Sequence, residues 1–562
     1  MSAPAHVVPP GIADHNVAAL HEAIAAVVPD RDCIVWRDRR LSWAEVTDRS
    51  RRFAAVLAGA GLGLRGDPAA SAPWESPHDH VALYLRNSNE YLEANLGAWK
   101  ARAAPFNVNY RYVATELAHL LHDSRAAAVV YDGSFAATLG EVLPGLPHLR
   151  LLVQVDDGSG TPLLPGAVAY EAALAAAEPV APARLSADDR YILYTGGTTG
   201  MPKGVLWRQG DFLATCLGVT QTEEELLAAA SRRAGLRTLP SAPFMHGAAH
   251  WNAMSAWISG GTVVIQDDPS RFDPDDVLAV CEREGVTALQ IVGDPFARPL
   301  LDAMARAPGR DLSALRFLLS GGAVLSAPVK ERLVEAIPHL RIVDVLGSSE
   351  TGRQAVTQTR GAAGADAGPG GFRPEASAVV LSEDRTRRLA PGDPDAGWLA
   401  QRGRVPLGYL GDEAKTRATF PVVERERVAV AGDRVRLLAD GTIEFLGRES
   451  VTINTGGEKV FAEEVEQALT SHPAVVDAVV TGRPSTRWGQ EIVAVLAPVG
   501  GTEPPADDEL RAHCRRMLAG YKVPKAFVWV PRVERSPAGK PDYAWAKTVA
   551  EAAAVALPTA ER

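Results

Sequence analysis

The segment Tyr194-Thr195-Gly196-Gly197-Thr198-Thr199-Gly200-Met201-Pro202-Lys203-Gly204 holds the residue types that a polyphosphate requires. Gly196, Gly197 and Gly200 let the backbone turn tightly and bring N–H groups up to an anion. Thr195, Thr198 and Thr199 add hydroxyl donors, and Lys203 adds a full positive charge. The segment is not a Walker A loop, which needs Gly-Lys-Ser/Thr, because Lys203 lies between Pro202 and Gly204. An acidic loop, Gly347-Ser348-Ser349-Glu350-Thr351-Gly352, follows the apolar run Ile342 to Leu346. Asp433 lies in a second acidic turn, Ala431-Gly432-Asp433. Lys540 is the one ammonium of the loop Arg535-Ser536-Pro537-Ala538-Gly539-Lys540-Pro541. Taken singly, the acidic loops read more simply as solvated turns and the terminal lysine as a solubilising charge.

The order of the pieces is more specific than any one of them. Thr-Gly-Gly-Thr-Thr-Gly-x-Pro-Lys-Gly resembles the signature of the adenylate-forming superfamily, which includes acyl-CoA synthetases, peptide-synthetase adenylation domains and firefly-type luciferases, and the resemblance spans nearly the whole chain. It implies that Glu350 helps hold magnesium; Ser349 stands where the family has Thr and keeps the hydroxyl, while Leu346 stands where many relatives carry Tyr. It implies that Ser320-Gly321-Gly322-Ala323 lies along the adenine and the acyl entrance, that Asp433 accepts from the ribose hydroxyls and that Arg448 contacts the nucleotide. His246, in Pro243-Phe244-Met245-His246-Gly247, matches a position near the reacting carboxylate. Glu449 takes a hinge position that is commonly Asp or Lys, and Gly456 and Gly457 fall in a loop that lines the pantetheine tunnel of acyl-CoA synthetases. The resemblance gives Lys540 the adenylation role, touching both the carboxylate oxygen and the α-phosphate.

The implied reaction is an acid–thiol ligation with ATP, magnesium and coenzyme A. A carboxylate becomes an acyl-adenylate with loss of pyrophosphate, and the thiol of coenzyme A then displaces AMP. Tyr84-Leu85-Arg86-Asn87-Ser88, Phe106-Asn107-Val108-Asn109-Tyr110-Arg111-Tyr112 and the run Gly200 to Arg208 look most like actinobacterial fatty-acyl-CoA synthetases, some of which activate steroid side-chain carboxylates. The expected acyl pocket draws on His246 to Trp257, Gly293 to Phe296 and Ser320 to Ala323. The rivals are an amino-acid adenylation enzyme, an acyl-AMP ligase that loads a carrier protein, a luciferase-like oxygenase and an adenylate-binding protein without catalysis. The last would have no need of both Glu350 and Lys540.

The frame that must hold these residues is legible in outline. The 562 residues exceed a single core, and 46% hydrophobic with 22% charged is a globular balance. A net charge of −10 without a long basic run argues against nucleic acid and against a polybasic membrane patch. Scattered Cys33, Cys216, Cys281 and Cys514 suit a reducing cytoplasm. No signal peptide and no run of about twenty apolar residues is found. Asp273-Pro274 followed by an amphipathic run to Gly285 predicts a capped helix. Strands follow at Val286 to Val292, Arg316 to Leu319 and Ile342 to Leu346, with helices between them. This rhythm predicts an α/β fold of parallel sheets flanked by helices, with all three Gly-rich loops at the carboxyl ends of strands. After about Gly361 a small antiparallel sheet or barrel is expected, and beyond Gly447 a small α+β domain. The expected domains are 1–447, with the ATP, magnesium and acyl sites, and a mobile 448–562, with the Lys540 and coenzyme A loops. The Pro- and Asp-rich stretch Gly66 to His80 reads as an exposed loop, and a homodimer is one allowed assembly.

Overall fold

The computed structural model describes residues 15–182, 184–197, 200–232, 236–360, 371–455, 458–485, 488–500, 503–537 and 539–556. Thr198, Thr199, Gly456 and Gly457 lie outside them. The described parts of Met1–Asp366 and Gln401–Ala429 form one unit, and those of Ala367–Ala400 and Val430–Arg562 form another.

Continuous apolar runs in the first unit become strands buried on both faces, as parallel sheets covered by helices require. Thr262–Ile265 and Ala288–Ile291 are buried at every position. Side by side and parallel run Asp32–Trp36, Thr262–Ile265, Arg237–Pro240, Ala288–Ile291, Phe317–Gly321 and Arg341–Ser348. Arg39–Ser42 and Gly352–Arg360 join them antiparallel. The helix Pro274–Glu284 starts where Asp273 accepts from the Asp275 and Asp276 amides, and it stops at Gly285 with φ +58°. A second parallel sheet orders Ala104–Asn107, His80–Tyr84, Ala126–Asp132, Leu151–Val155 and Ala167–Ala169. The helix Asn89–Lys100 is buried at every residue.

In the second unit, Asp433–Leu437 pairs antiparallel with Ile443–Arg448 and with the start of Ala396–Arg402. The α+β portion pairs Val475–Ser485 with Gly489–Pro498 and lays Ala526–Trp529 parallel to the latter. The helix Ala462–Thr470 packs Val465 and Leu469 into a core with Val480, Ile492 and Leu496. Among the described residues no helix is long and apolar enough to cross a membrane.

Candidate active site

The expected placement of the phosphate loop is corrected by the structure. It does not end a parallel strand: it is the tip of an antiparallel hairpin, Arg190–Gly197 with Gly200–Arg208, in register Thr195 to Lys203. The short apolar run before the glycines looks the same in either setting, and only the apolar second strand, Val205 to Trp207, hints at the return. The other loops do project from carboxyl ends of neighbouring parallel strands. His246 follows Arg237–Pro240, Gly293 follows Ala288–Ile291, Gly321 to Ala323 follow Phe317–Gly321, and Glu350 follows Arg341–Ser348.

Two buried side chains tie the hairpin to that row of loops. The Trp207 indole, on the strand that carries Lys203, donates to the Ser349 carbonyl at 3.0 Å. Asn107 Nδ2 donates to the Tyr194 carbonyl at 2.7 Å and the Met245 carbonyl at 2.6 Å, while its Oδ1 accepts from the Tyr194 amide at 2.8 Å. Asn87 braces the same turn, donating to the Ala242 carbonyl at 3.0 Å and accepting from the Phe244 amide at 2.6 Å. His246 closes that turn through its amide to the Pro243 carbonyl at 3.0 Å and opens the helix Gly247–Ile258. Both asparagines belong to the segments singled out for their resemblance, and the structure supplies their physical task.

Glu350 sits on a turn built by hydroxyls. Ser348 Oγ accepts from the Glu350 amide at 3.2 Å, and Thr351 Oγ1 accepts from the Ser348 amide at 3.1 Å. Gly352, at φ +66°, reverses the chain, and a Cβ at Gly347 would collide with the Gly352 carbonyl oxygen. The Tyr409 hydroxyl donates to Glu350 Oε1 at 2.9 Å. Burial, then the Glu350 charge, raise the Tyr409 phenol far above its ordinary value, so it stays a donor at every physiological pH. Lys203 Nζ lies 3.8 Å from Asp412 Oδ2, and Lys415 stands beside Lys203 with its Nζ 5.1 Å from the centre of the Tyr409 ring. Burial first, then the neighbouring Lys203, lowers the Lys415 ammonium to about 8. Tyr409, Asp412 and Lys415 lay outside the sequence analysis. Gly66 to His80, expected as an exposed loop, is only partly so: Gly66, Asp67, Ala69, Ala70, Pro73 and Glu75 are exposed, whereas Pro68, His78 and His80 are buried, and the Trp74 carbonyl accepts from the Gly411 amide at 2.8 Å.

One carboxylate oxygen steadied by a phenol leaves a second for a hard cation. Among the described residues no three acidic, His or Cys side chains converge on a metal position. A second carboxylate oxygen is the right ligand type for magnesium, a hard cation that takes oxygen donors. Tyr409→Phe is expected to raise KM for magnesium–ATP on the order of 10-fold while the protein stays folded, because a hydrogen bond to a charged group contributes about 1.5–3 kcal/mol. Initial rates over a grid of magnesium and ATP concentrations check this.

Gly321 and Gly322 border a tight crossing: Ser320 Oγ accepts from the Gly293 amide at 3.2 Å, and a Cβ at Gly293 would strike the Val324 carbonyl oxygen. Ala323 is half-buried beside it.

In the second unit Asp433 is buried, and Arg448 Nε donates to its Oδ1 at 2.9 Å. The Arg448 amide donates to Glu463 Oε1 at 3.3 Å. Burial pushes the Glu463 carboxyl up to about 7, against the pull of Arg448. Asp433 and Arg448 are thus brought together as partners of each other, which spacing in the chain did not reveal. Lys540 is exposed on a loop pinned by Arg535. That guanidinium grips both Asp477 oxygens at 2.8 and 2.6 Å and donates to the Gly539 carbonyl at 2.9 Å, while Ser536 Oγ accepts from the Lys540 amide at 3.2 Å.

The parallel frame and the separate α+β portion place the chain in the adenylate-forming fold class. The anthranilate CoA ligase AuaEII, solved in complex with anthranoyl-AMP, shares that fold at a TM-score of 0.80 and 21% identity over 96% of this chain and 98% of that one. Residues 21–410 match the AMP-binding enzyme family and residues 464–540 match the AMP-binding enzyme C-terminal domain, so the chain belongs to the AMP-binding enzyme family. It is 49% identical to the medium-chain acyl-CoA ligase Mig of Mycobacterium avium over 542 residues, 95% of this chain and 98% of that protein. It is 39% identical to a medium/long-chain-fatty-acid–CoA/3-oxocholest-4-en-26-oate–CoA ligase of Mycobacterium tuberculosis over 547 residues, 96% of each.

Proposed function

We propose that the chain is an ATP-dependent, AMP-forming acyl-CoA ligase acting on a fatty acid or a steroid side-chain carboxylate. The observation that carries this reading is the tying of three loops into one locality of the first unit. Trp207 joins the phosphate hairpin to the Glu350 turn, and Asn107 joins it to the His246 turn. On this reading, the loops of Thr195 and Lys203, of Glu350 and of His246 would present phosphate-binding groups, a magnesium carboxylate and the acyl side in a linked arrangement, the kind of register that in-line attack on a phosphate needs. The nearly full-length likeness to acyl-CoA ligases supports the same reading.

In the first half-reaction a carboxylate oxygen attacks the α-phosphorus of ATP. Thr195 and Lys203 bind phosphate oxygens and orient the chain of phosphates for departure in line. Glu350 would hold magnesium, which would supply positive charge against the phosphate anion. Lys540 draws the carboxylate and the α-phosphate together against their mutual repulsion. Asp433 accepts from the ribose hydroxyls once Arg448 shares or leaves its carboxylate. In the second half-reaction the coenzyme A thiol attacks the acyl carbonyl, AMP leaves, and the loop at Gly456 and Gly457 admits the thin pantetheine arm. The four cysteines are free, which suits action in a reducing cytoplasm.

The test incubates the protein with ATP, magnesium and coenzyme A against acids from acetate through long-chain fatty acids to steroid side-chain acids, with products read by mass spectrometry. An acyl-CoA that requires all three components supports the reading. Acyl-adenylate without thioester would move the reading to a carrier-protein ligase, and no product from any acid would overturn it in favour of an adenylate binder.

A further inference from the structure

Lysine is rare in this chain, nine of the 58 basic residues, yet the fold sets two of them side by side. Lys203 arrives on the phosphate hairpin, and Lys415 arrives more than two hundred residues later on the helix Glu413–Thr419. Their meeting is enforced by main-chain pairing, because Tyr409 lies opposite Val205 in the sheet that continues the hairpin. Asp412 then bonds the Lys415 amide at 2.9 Å and faces Lys203 Nζ at 3.8 Å. Two adjacent ammonium groups repel, and a partly buried setting sharpens that repulsion. Arginines elsewhere take up carboxylates in pairs, as Arg49 does with Glu93 and Glu171, whereas these two lysines share a neighbourhood with Asp412 and Glu350. The four charges balance, so magnesium on Glu350 would leave an excess of positive charge that a second anion answers.

We propose that Lys415 is a further catalytic residue, acting with Lys203 to bind the pyrophosphate portion of ATP as it leaves. The assignment rests on the ligase reading and adds a residue to it. As the carboxylate oxygen bonds to the α-phosphorus, the bond from that phosphorus to the bridging oxygen breaks, and its electron pair stays on the pyrophosphate. Both lysines keep their protons and neutralise the added charge by hydrogen bonding, so no external acid, oxidant or reductant is needed. Tyr409 lies under Lys415 and holds Glu350, so one phenol keeps the second lysine and the metal carboxylate in a common register.

The test uses the full chain and three variants, Lys415→Gln, Lys415→Arg and Lys203→Gln. Binding of magnesium pyrophosphate and of tripolyphosphate is measured by calorimetry. Acyl-adenylate formation is measured by pyrophosphate exchange, and thioester formation is measured separately from preformed acyl-adenylate and coenzyme A. Lys415→Gln is expected to weaken pyrophosphate binding about 10-fold and to slow exchange on the order of 10-fold, as loss of one charge-assisted contact should. The thioester step should not change, and Lys415→Arg should restore most of the binding. Unchanged pyrophosphate binding by a Lys415→Gln protein that melts like the parent would overturn the assignment. So would equal losses in both half-reactions, or failure of the Arg variant to rescue. If the parent binds tripolyphosphate through Lys415 but activates no acid, the ligase reading falls and the anion site stands. If the parent makes acyl-adenylate and the Gln variant equals it, only the Lys415 assignment falls.

Discussion

Replacing Lys540 with alanine is expected to slow acyl-adenylate formation by on the order of 10²–10³, the cost of deleting one preorganised donor from a developing anion. The thioester step, started from preformed acyl-adenylate and coenzyme A, should stay within a few-fold of the parent. The asymmetry follows from chemistry. Joining a carboxylate to a phosphate forces two anions together, whereas a thiol attacking an acyl-adenylate releases an anion. The Arg535 grip on Asp477 and on the Gly539 carbonyl holds the loop backbone from which Lys540 projects. Rapid-quench measurement of each half-reaction separates the outcomes. Equal slowing of both, or an unchanged first step, would remove Lys540 from the adenylation chemistry.

The largest expected effect on stability lies in a buried charge cluster around Lys100. Lys100 ends the buried helix Asn89–Lys100 with a fully buried ammonium, 2.5 Å from Glu22 and 2.7 Å from Ser50 Oγ. Arg51 shares Glu22, its Nε donating at 3.1 Å to the same Oε1 that Lys100 contacts. The cluster joins three helices, Val17–Val27, Trp43–Gly59 and Asn89–Lys100. Glu22→Ala leaves a buried cation without its counter-charge and is expected to cost about 3–5 kcal/mol. Lys100→Met should cost much less, because Glu22 keeps Arg51 and an unbranched apolar chain fills the space. Chemical denaturation of both variants, following the first unfolding transition, tests the contrast; equal losses would show packing rather than charge to be the cause.

The same lysine gives a pH signature. Burial lowers the Lys100 ammonium from its ordinary 10.5 to about 8 in the folded protein. Below about pH 8 both states hold the proton and stability is insensitive to this group. Between 8 and 10.5 the unfolded chain binds more proton than the folded one, so stability rises with pH through that window. Relative to Lys100→Met, the parent should therefore gain up to about 3 kcal/mol on going from pH 7 to pH 11. A flat difference would place the Lys100 proton affinity near its ordinary value.

Much of this protein is written locally in its sequence. The helix Pro274–Glu284 begins and ends where Asp273, Pro274 and Gly285 say it should, because capping and left-handed backbone are properties of single residues. The strands Ala288–Ile291 and Arg341–Ser348 follow from apolar runs too short for helices. The roles proposed for Thr195, Lys203, Glu350 and Lys540 likewise start from residue type and order. What tertiary structure decided is who meets whom. An apolar run followed by glycines cannot announce whether it ends a parallel strand or turns back on itself, so the phosphate loop proved to be a hairpin tip. Tyr409 and Lys415 lie in a stretch without any motif that spacing could flag, and they reach Glu350 and Lys203 only because a two-residue strand pairs with the hairpin. Asn87 and Asn107 look like loop asparagines until the fold buries them against the His246 turn. Local sequence sets backbone preference and side-chain chemistry within a few residues, whereas contacts across a hundred or more positions exist only once the sheets have assembled and excluded water.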